Sequence, residues 1–416
     1  MSGQKIKPMG PIPPGFTAEN GMLLIGGCGA AALADEAGTP LFVYDAGLVR
    51  TRIAALRAVL PDGVGLHYAI KANPFPPLLA LMADMVDGFD IASKGELAVA
   101  QQAGMVPEHI SFAGPGKRDD ELDAALRAGV TINLESEGEA ARALALAERL
   151  AVRPRLAVRV NPDFELKGSG MRMGGGAKPF GVDADRAGAL ARQVIAAGAE
   201  WCGWHIFAGS QALDADAIIA AQAQTVALAA RLSDEVGAAP PLVNLGGGFG
   251  VPYFAGDEPL DVGTIGAALV ETLAARPAIL APSTFALELG RYLVAPAGVY
   301  LTRVIDVKTS QGERYAVVDG GLHHQLAASG NFGTVVRRNY PLAIANRFGA
   351  PVADEPVTVV GCLCTPLDRL GEAVALPPVA PGDLIAVFLA GAYGASASPS
   401  AFLGHGPAPE LLVDEG

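Results

Sequence analysis

Between residues 64 and 290 a short apolar run gives way, again and again, to an alanine-rich stretch with helical spacing. The apolar runs fall near 64–71, 88–92, 110–113, 130–134, 155–161, 202–208, 242–246 and 284–290. Helical patterns lie between them at 78–85, 96–103, 121–128, 137–150 and 217–236. A chain that keeps alternating in this way must build a parallel sheet covered by helices, because parallel neighbours need a crossover and the helix supplies it. Eight such units predict an α/β protein with a closed (β/α)8 barrel over residues 38–291; an open doubly wound sheet is the alternative. After Arg291 the pattern changes to β-rich segments such as "AGVYLTRVIDVKT", "PVTVVG" and "DLIAVFLAGAY". Residues 292–416 are therefore expected to form an all-β domain, completed by residues 1–37 with the candidate strand "GMLLIGG".

Composition narrows the function. The net charge is -13, and no basic stripe runs along the chain, which argues against a nucleic-acid partner. The N-terminal "MSGQKIKPMGPIPPGF" lacks an apolar signal core, and the most apolar helical run, 217–232, is too short and too polar to span a membrane. The expectation is a cytoplasmic enzyme that does not engage membranes. Cysteines 28, 202, 362 and 364 form neither a disulfide framework nor a zinc-ligand spacing, so reduced thiols and no metal are expected.

In a barrel the chemistry sits where strands end. In "HYAIKANP" the inward face carries Gly65, His67, Ala69 and Lys71, which puts Lys71 at the rim. The same phase turns Asp90, Arg159, Gly203, His205, Phe207, Ala286, Glu288 and Gly290 inward, with Ser210 and Arg291 just past strand ends. "NLGGGFG" runs a strand into glycines where backbone amides can approach an anion, and it follows the seventh strand, where barrel phosphate sites commonly lie. It is not G-x-G-x-x-G, so a dinucleotide fold is not supported.

Each feature alone has a plain explanation. A strand-ending lysine is usually a solvated charge, Asp90 and Arg159 could simply pair, and a lone cysteine is more often a small buried hydrophobe. Their coincidence on one barrel face points to an amine that attacks a carbonyl beside a phosphate cradle, which is the chemistry of pyridoxal 5'-phosphate. A carboxylate, Glu288, at the pyridine nitrogen would keep it protonated and favour loss of a carboxylate from the substrate Cα.

On these motifs the chain resembles the fold type III pyridoxal-phosphate decarboxylases, the group with diaminopimelate and ornithine decarboxylases, over nearly its full length. The resemblance implies that Lys71 in "YAIKANP" forms the Schiff base and that Asp90 in "FDIASKGEL" belongs to the cofactor site. It also implies that Gly247 and Gly248 in "GGGFG" hold the phosphate, aided by Ser210, Gly290 and Tyr393 in "GAYG". "ELGR" would supply Glu288 to the ring nitrogen and Arg291 to the phosphate or the substrate carboxylate. Cys364 in "CLCTPLD" would protonate Cα across a homodimer interface, with Thr365 and Tyr393 facing substrate. Phe207 stands where the family has a stacking histidine; it can stack but cannot donate a hydrogen bond.

Thr365 and Pro366 stand where diamino-acid enzymes carry an acidic residue, so lysine, ornithine and diaminopimelate are disfavoured as substrates. "SFAGPGK", "MGGG", "NLGGGFGVPYF" and "FLGHGPAPE" resemble the divergent branch with the butirosin-pathway glutamyl-carrier-protein decarboxylase and the exosortase-associated decarboxylases. This implies decarboxylation of an amino acid, free or tethered to a carrier protein. The alternatives are a diaminopimelate decarboxylase and a catalytically silent partner-binding relative. His323 and His324 in "GGLHHQ" could touch substrate or simply shape a turn.

Overall fold

The computed structural model describes residues 5–331 and 337–414. Among the described residues, eight strands alternate with helices: β1 Val64–Ala69, β2 Gly88–Ile91, β3 Ile110–Phe112, β4 Thr131–Leu134, β5 Arg155–Asn161, β6 Glu200–Ile206, β7 Leu242–Gly247 and β8 Thr284–Leu289. Each pairs in parallel with the next, and β8 pairs with β1, so the sheet closes on itself. The predicted barrel is thus present and the open sheet is excluded. A strand of two residues, Val182–Asp183, adds to β5.

The period of two explains how each strand serves both sides. On β1, Val64, Leu66 and Tyr68 are buried against the helical layer, while Gly65 and His67 face the lumen. On β8, Phe285, Leu287 and Leu289 face outward and Glu288 lies inside. The helices start where short polar side chains can cap them: Ser93 and Ser136 accept from the amides of Glu96 and Glu139, and Asp214 and Asp261 from those of Ala217 and Thr264. In the first two cases the glutamate reaches back to the backbone, to the amides of Ala92 and Glu135. Among the described residues, no helix is long and apolar enough to cross a membrane.

By compactness the chain divides into a barrel unit, residues 53–251 and 259–290, and a β-rich unit, residues 1–52, 252–258 and 291–416. The β-rich unit contains β9 Gly298–Ser310, β10 Glu313–Val318, β11 Leu342–Ile344, β12 Val357–Val360, β13 Arg369–Val374 and β14 Leu384–Phe388, in the order β11-β14-β9-β10-β12-β13. Its boundaries differ from the sequence reading at two places. The strand Leu41–Asp45, expected at the start of the barrel region, pairs antiparallel with β9 and parallel with Glu410–Val413. Residues 252–258 also leave the barrel unit, because the rings of Tyr253 and Phe254 pack against Tyr340, one tilted and one edge-on. Both changes depend on long-range partners that periodicity cannot reveal. Leu23 and Ile25 of "GMLLIGG" share a buried cluster with Val299, Leu301, Leu384 and Phe388.

Candidate active site

Lys71 does not end the strand as its phase suggested. β1 stops at Ala69, and Ile70–Ala72 form one 3-10 turn that leaves the Lys71 side chain exposed. The turn is forced by "KANP": Asn73 is extended, its side-chain oxygen accepts from the amide of Phe75, and Pro76 opens the next helix. The Lys71 Nζ stands 5.9 Å from the centre of the Phe207 ring. Gly290 follows β8 beside this turn, where a methyl group on it would come within 2.9 Å of the Ala72 Cβ and 3.0 Å of the Ala69 carbonyl oxygen.

Below the rim lies a buried polar layer. His205 Nε2 is 2.8 Å from Glu288 Oε2, and His67 Nδ1 is 3.6 Å from Asp90 Oδ2, too far for a hydrogen bond. His67 sits opposite Glu288 in the register of β1 and β8, and Asp90 sits opposite Ala69 in that of β1 and β2. Burial alone would push the Glu288 carboxyl up. The hydrogen bond to His205 and the charges of His205, Lys71 and Arg159 outweigh it and hold the group at about 2, so Glu288 is ionised across the physiological range. Asp90 is pushed the other way, by burial and by the neighbouring Glu288 charge.

Arg159 lies inward as expected, but its partner is Glu135, at 2.7 Å, and not Asp90. Glu135 also accepts from the amides of Gly114 and Gly181. The pairing follows from closure: Glu135 immediately follows β4, the direct neighbour of β5, whereas Asp90 is on β2. Sequence phase had placed His67 and His205 on the inward face without assigning either a role. The signal for His205 was its spacing of two from Phe207; its partner on β8 could not be read from the chain.

Between β7 and the Phe207 segment the backbones touch. Gly248 has φ +84, and a methyl group there would meet the Gly209 carbonyl oxygen at 2.4 Å; at Gly247 it would meet that of Glu288 at 2.0 Å. Only glycine lets this loop lie against its neighbours. Ser210 pairs with Met171 in a two-residue ladder at the same edge. A cavity of about 350 Å³ lies beneath the polar layer, around Gly65, Ser111, Asn133, Ala157 and Ala286. It opens toward strand starts, away from Lys71, so the mouth and not this cavity carries the lysine chemistry.

The remaining predicted residues belong to the β-rich unit. Arg291 is half-buried there: its Nη1 donates to Tyr253 Oη at 3.2 Å, and its guanidinium lies 4.6 Å from the centre of the Tyr393 ring. Tyr393 takes φ +57, a left-handed conformation costly for a side chain this large. Cys364 is exposed in the loop after β12, and Thr365 Oγ1 accepts from the Leu367 amide. His324 is fixed by the Gly406 carbonyl oxygen at 2.9 Å and by Tyr300 Oη at 3.3 Å. His323 is fully buried, and burial, with His324 and His405 close by, lowers it to about 4.

The barrel residues fit pyridoxal 5'-phosphate by their donor chemistry. An exposed lysine, an aromatic face, a carboxylate that stays ionised with Oε1 not engaged by His205, and a glycine loop with room only for backbone meet at one set of strand ends. Fold and site together define a barrel-based lyase of the pyridoxal-phosphate class.

Comparison with known proteins agrees. Residues 46–295 match the family described as "Pyridoxal-dependent decarboxylase, pyridoxal binding domain". An L-glutamyl-(BtrI acyl-carrier protein) decarboxylase of Niallia circulans is 38% identical over 92% of this chain and 91% of its own length. A diaminopimelate decarboxylase of Methanothermobacter thermautotrophicus is 33% identical over 96% and 92%. Among solved structures, diaminopimelate decarboxylase of Helicobacter pylori complexed with L-lysine superposes with a TM-score of 0.83 at 26% identity, covering 93% of this chain and 94% of that one. The chain belongs to the pyridoxal-dependent decarboxylase family, and pyridoxal 5'-phosphate is its cofactor.

Proposed function

We propose that the enzyme removes the Cα carboxylate of an amino acid tethered to a carrier protein, acting in the cytoplasm as a homodimer with shared active sites. Bound pyridoxal 5'-phosphate supplies an electron sink that lets the carboxylate leave as carbon dioxide. Lys71 would anchor the group, and Phe207 would offer it an aromatic face. Glu288, ionised and paired with His205, would hold a proton on the pyridine nitrogen. Gly247, Gly248, Ser210, Gly290, Arg291 and Tyr393 bind the phosphate end, and Asp90 supports the ring pocket from β2. Cys364 of the partner subunit delivers the proton to Cα, and Thr365 faces the substrate with Arg291 and Tyr393.

The carrying observation is the loop after Cys364. Thr365 and Pro366 offer no charge to a distal ammonium, and the loop's carboxylate, Asp368, is turned inward onto the amides of Leu322 and Leu363 at 2.7 and 2.9 Å. A diamino acid would leave its second ammonium unpaired there, at a cost of roughly 3–5 kcal/mol if buried. The similarity to a decarboxylase named for a glutamyl-carrier substrate supports the same reading.

The test is carbon dioxide release from an aminoacyl-carrier thioester, measured against free glutamate, diaminopimelate, ornithine and lysine. Turnover is expected on the thioester and at least about a hundredfold less on the free diamino acids, which is what roughly 3 kcal/mol produces. Equal or faster release from free diaminopimelate would overturn the proposal in favour of a plain diamino-acid decarboxylase.

A further inference from the structure

Three segments of the β-rich unit, distant in sequence, bring a thiol and two imidazoles together. Cys362 Sγ lies 3.8 Å from His405 Nε2, the His323 and His405 rings are 4.6 Å apart, and one ligand atom from each of His323, Cys362 and His405 falls within 4.8 Å of the others. His323 is 0% exposed, and neither of its ring nitrogens has a hydrogen-bond partner among the described residues. Leaving such a buried group unsatisfied costs about 1–3 kcal/mol.

The neighbours that could have satisfied it are otherwise engaged. His324 is held by Tyr300 and Gly406, Asp368 by backbone amides, and Asp319 by Thr302 and the Arg303 amide. A water molecule could serve one nitrogen of His323, but it would not explain why a thiol and a second imidazole converge on the same point.

We propose that His323, Cys362 and His405 form a binding site for a thiophilic divalent cation, zinc by preference, with a fourth position open to water. Ligand type selects the ion: thiolate with imidazole suits zinc and disfavours magnesium and calcium, which need oxygen. Ligand spacing agrees, since zinc-sulfur and zinc-nitrogen bonds of about 2.3 and 2.0–2.1 Å at a tetrahedral angle put sulfur and nitrogen about 3.6 Å apart. The fourth position faces solvent because His405 is exposed and Cys362 half-exposed. On binding, a bond forms between the ion and Cys362 Sγ, and the thiol proton, which can otherwise point to the Asp319 carbonyl oxygen at 3.5 Å, passes to solvent.

Such an ion would tie the turn carrying His323 to the loop after β12 and to the turn carrying His405. Since Cys362 is two residues from Cys364, it would restrain the loop bearing the proposed proton donor. The proposal uses none of the barrel residues and does not rest on the substrate assignment.

The experiment uses untagged holoenzyme stripped with a chelator and titrated with zinc against a chromophoric competitor, then with cobalt as a spectroscopic probe. One ion per chain is expected, with visible cobalt bands typical of tetrahedral thiolate coordination. Cys362→Ser and His405→Gln should each weaken zinc by more than about a hundredfold, since loss of a supporting outer partner alone costs 10–100-fold. Both side chains are at the surface, so folding is checked by unchanged thermal melting without metal. Cys364→Ser should bind as the parent does. Absence of stoichiometric binding, undiminished affinity in Cys362→Ser, or loss of binding in Cys364→Ser would each overturn the proposal.

Discussion

Replacing His205 by leucine probes the charge on which the barrel site depends. Glu288 is 6% exposed, and its hydrogen bond to His205 is the first influence that opposes burial. Its carboxyl is held at about 2 in place of 4.5, which at roughly 1.4 kcal/mol per pH unit corresponds to about 3–4 kcal/mol of folding stability. Because the folded value is depressed, that stability is fully present above about pH 4.5 and is lost as the pH falls through about 2.

In His205→Leu only Lys71 and Arg159 remain among the groups named above to oppose burial, so the carboxyl should rise. The variant should lose about 2–4 kcal/mol near neutral pH, less than or equal to the cost of a fully unpaired buried charge. The loss should shrink as the pH is lowered toward about 5 and the carboxyl takes up its proton. Urea unfolding followed by tryptophan fluorescence reads the right unit, since both tryptophans of the chain, Trp201 and Trp204, lie on β6. Cofactor is left out, because its binding would shift the apparent stability and a protonated ring nitrogen would itself support the Glu288 charge. A loss below about 0.5 kcal/mol near pH 7.5, within the scatter of surface substitutions, would refute the reasoning. So would a loss that grows on acidification.

Lys71→Ala should abolish the borohydride-fixed adduct that mass spectrometry is expected to place on the peptide containing Lys71; an undiminished adduct elsewhere would remove the lysine from its role. Gly248→Ala forces a side chain into φ +84 and against the Gly209 carbonyl oxygen, and should weaken pyridoxal-phosphate affinity about tenfold or more, read by cofactor fluorescence. Lys117→Met leaves Glu139, now 2.6 Å from the lysine Nζ, without its buried counter-charge and should cost about 3–5 kcal/mol by the same urea assay. Cys364→Ala should slow or misdirect proton delivery to Cα while leaving cofactor affinity within about twofold, measured by solvent deuterium incorporation into product.

The site was legible in parts. Glu288, Asp90, Phe207 and the glycine loop fall at strand ends because strand phase and the strand-to-loop transition are set by neighbouring residues. Lys71 needed correction, since the strand stops two residues before it and Ile70–Ala72 wind into a 3-10 turn ahead of Asn73 and Pro74. What Arg159 pairs with was not legible, because the answer depends on which strand lies beside β5.

That division has a physical basis. Alternation of periods two and 3.6 is a local property, so the sequence by itself determined a parallel, helix-covered barrel with a lysine, a carboxylate and a glycine loop at one end. Hydrogen bonds and ligand sets are made through space, and closure chose them: His205 onto Glu288 across 83 residues, Leu41–Asp45 into the β-rich unit, and His323, Cys362 and His405 onto one point. No spacing rule along the chain anticipates those meetings, since the loops that separate such residues can vary in length without moving the side chains that meet.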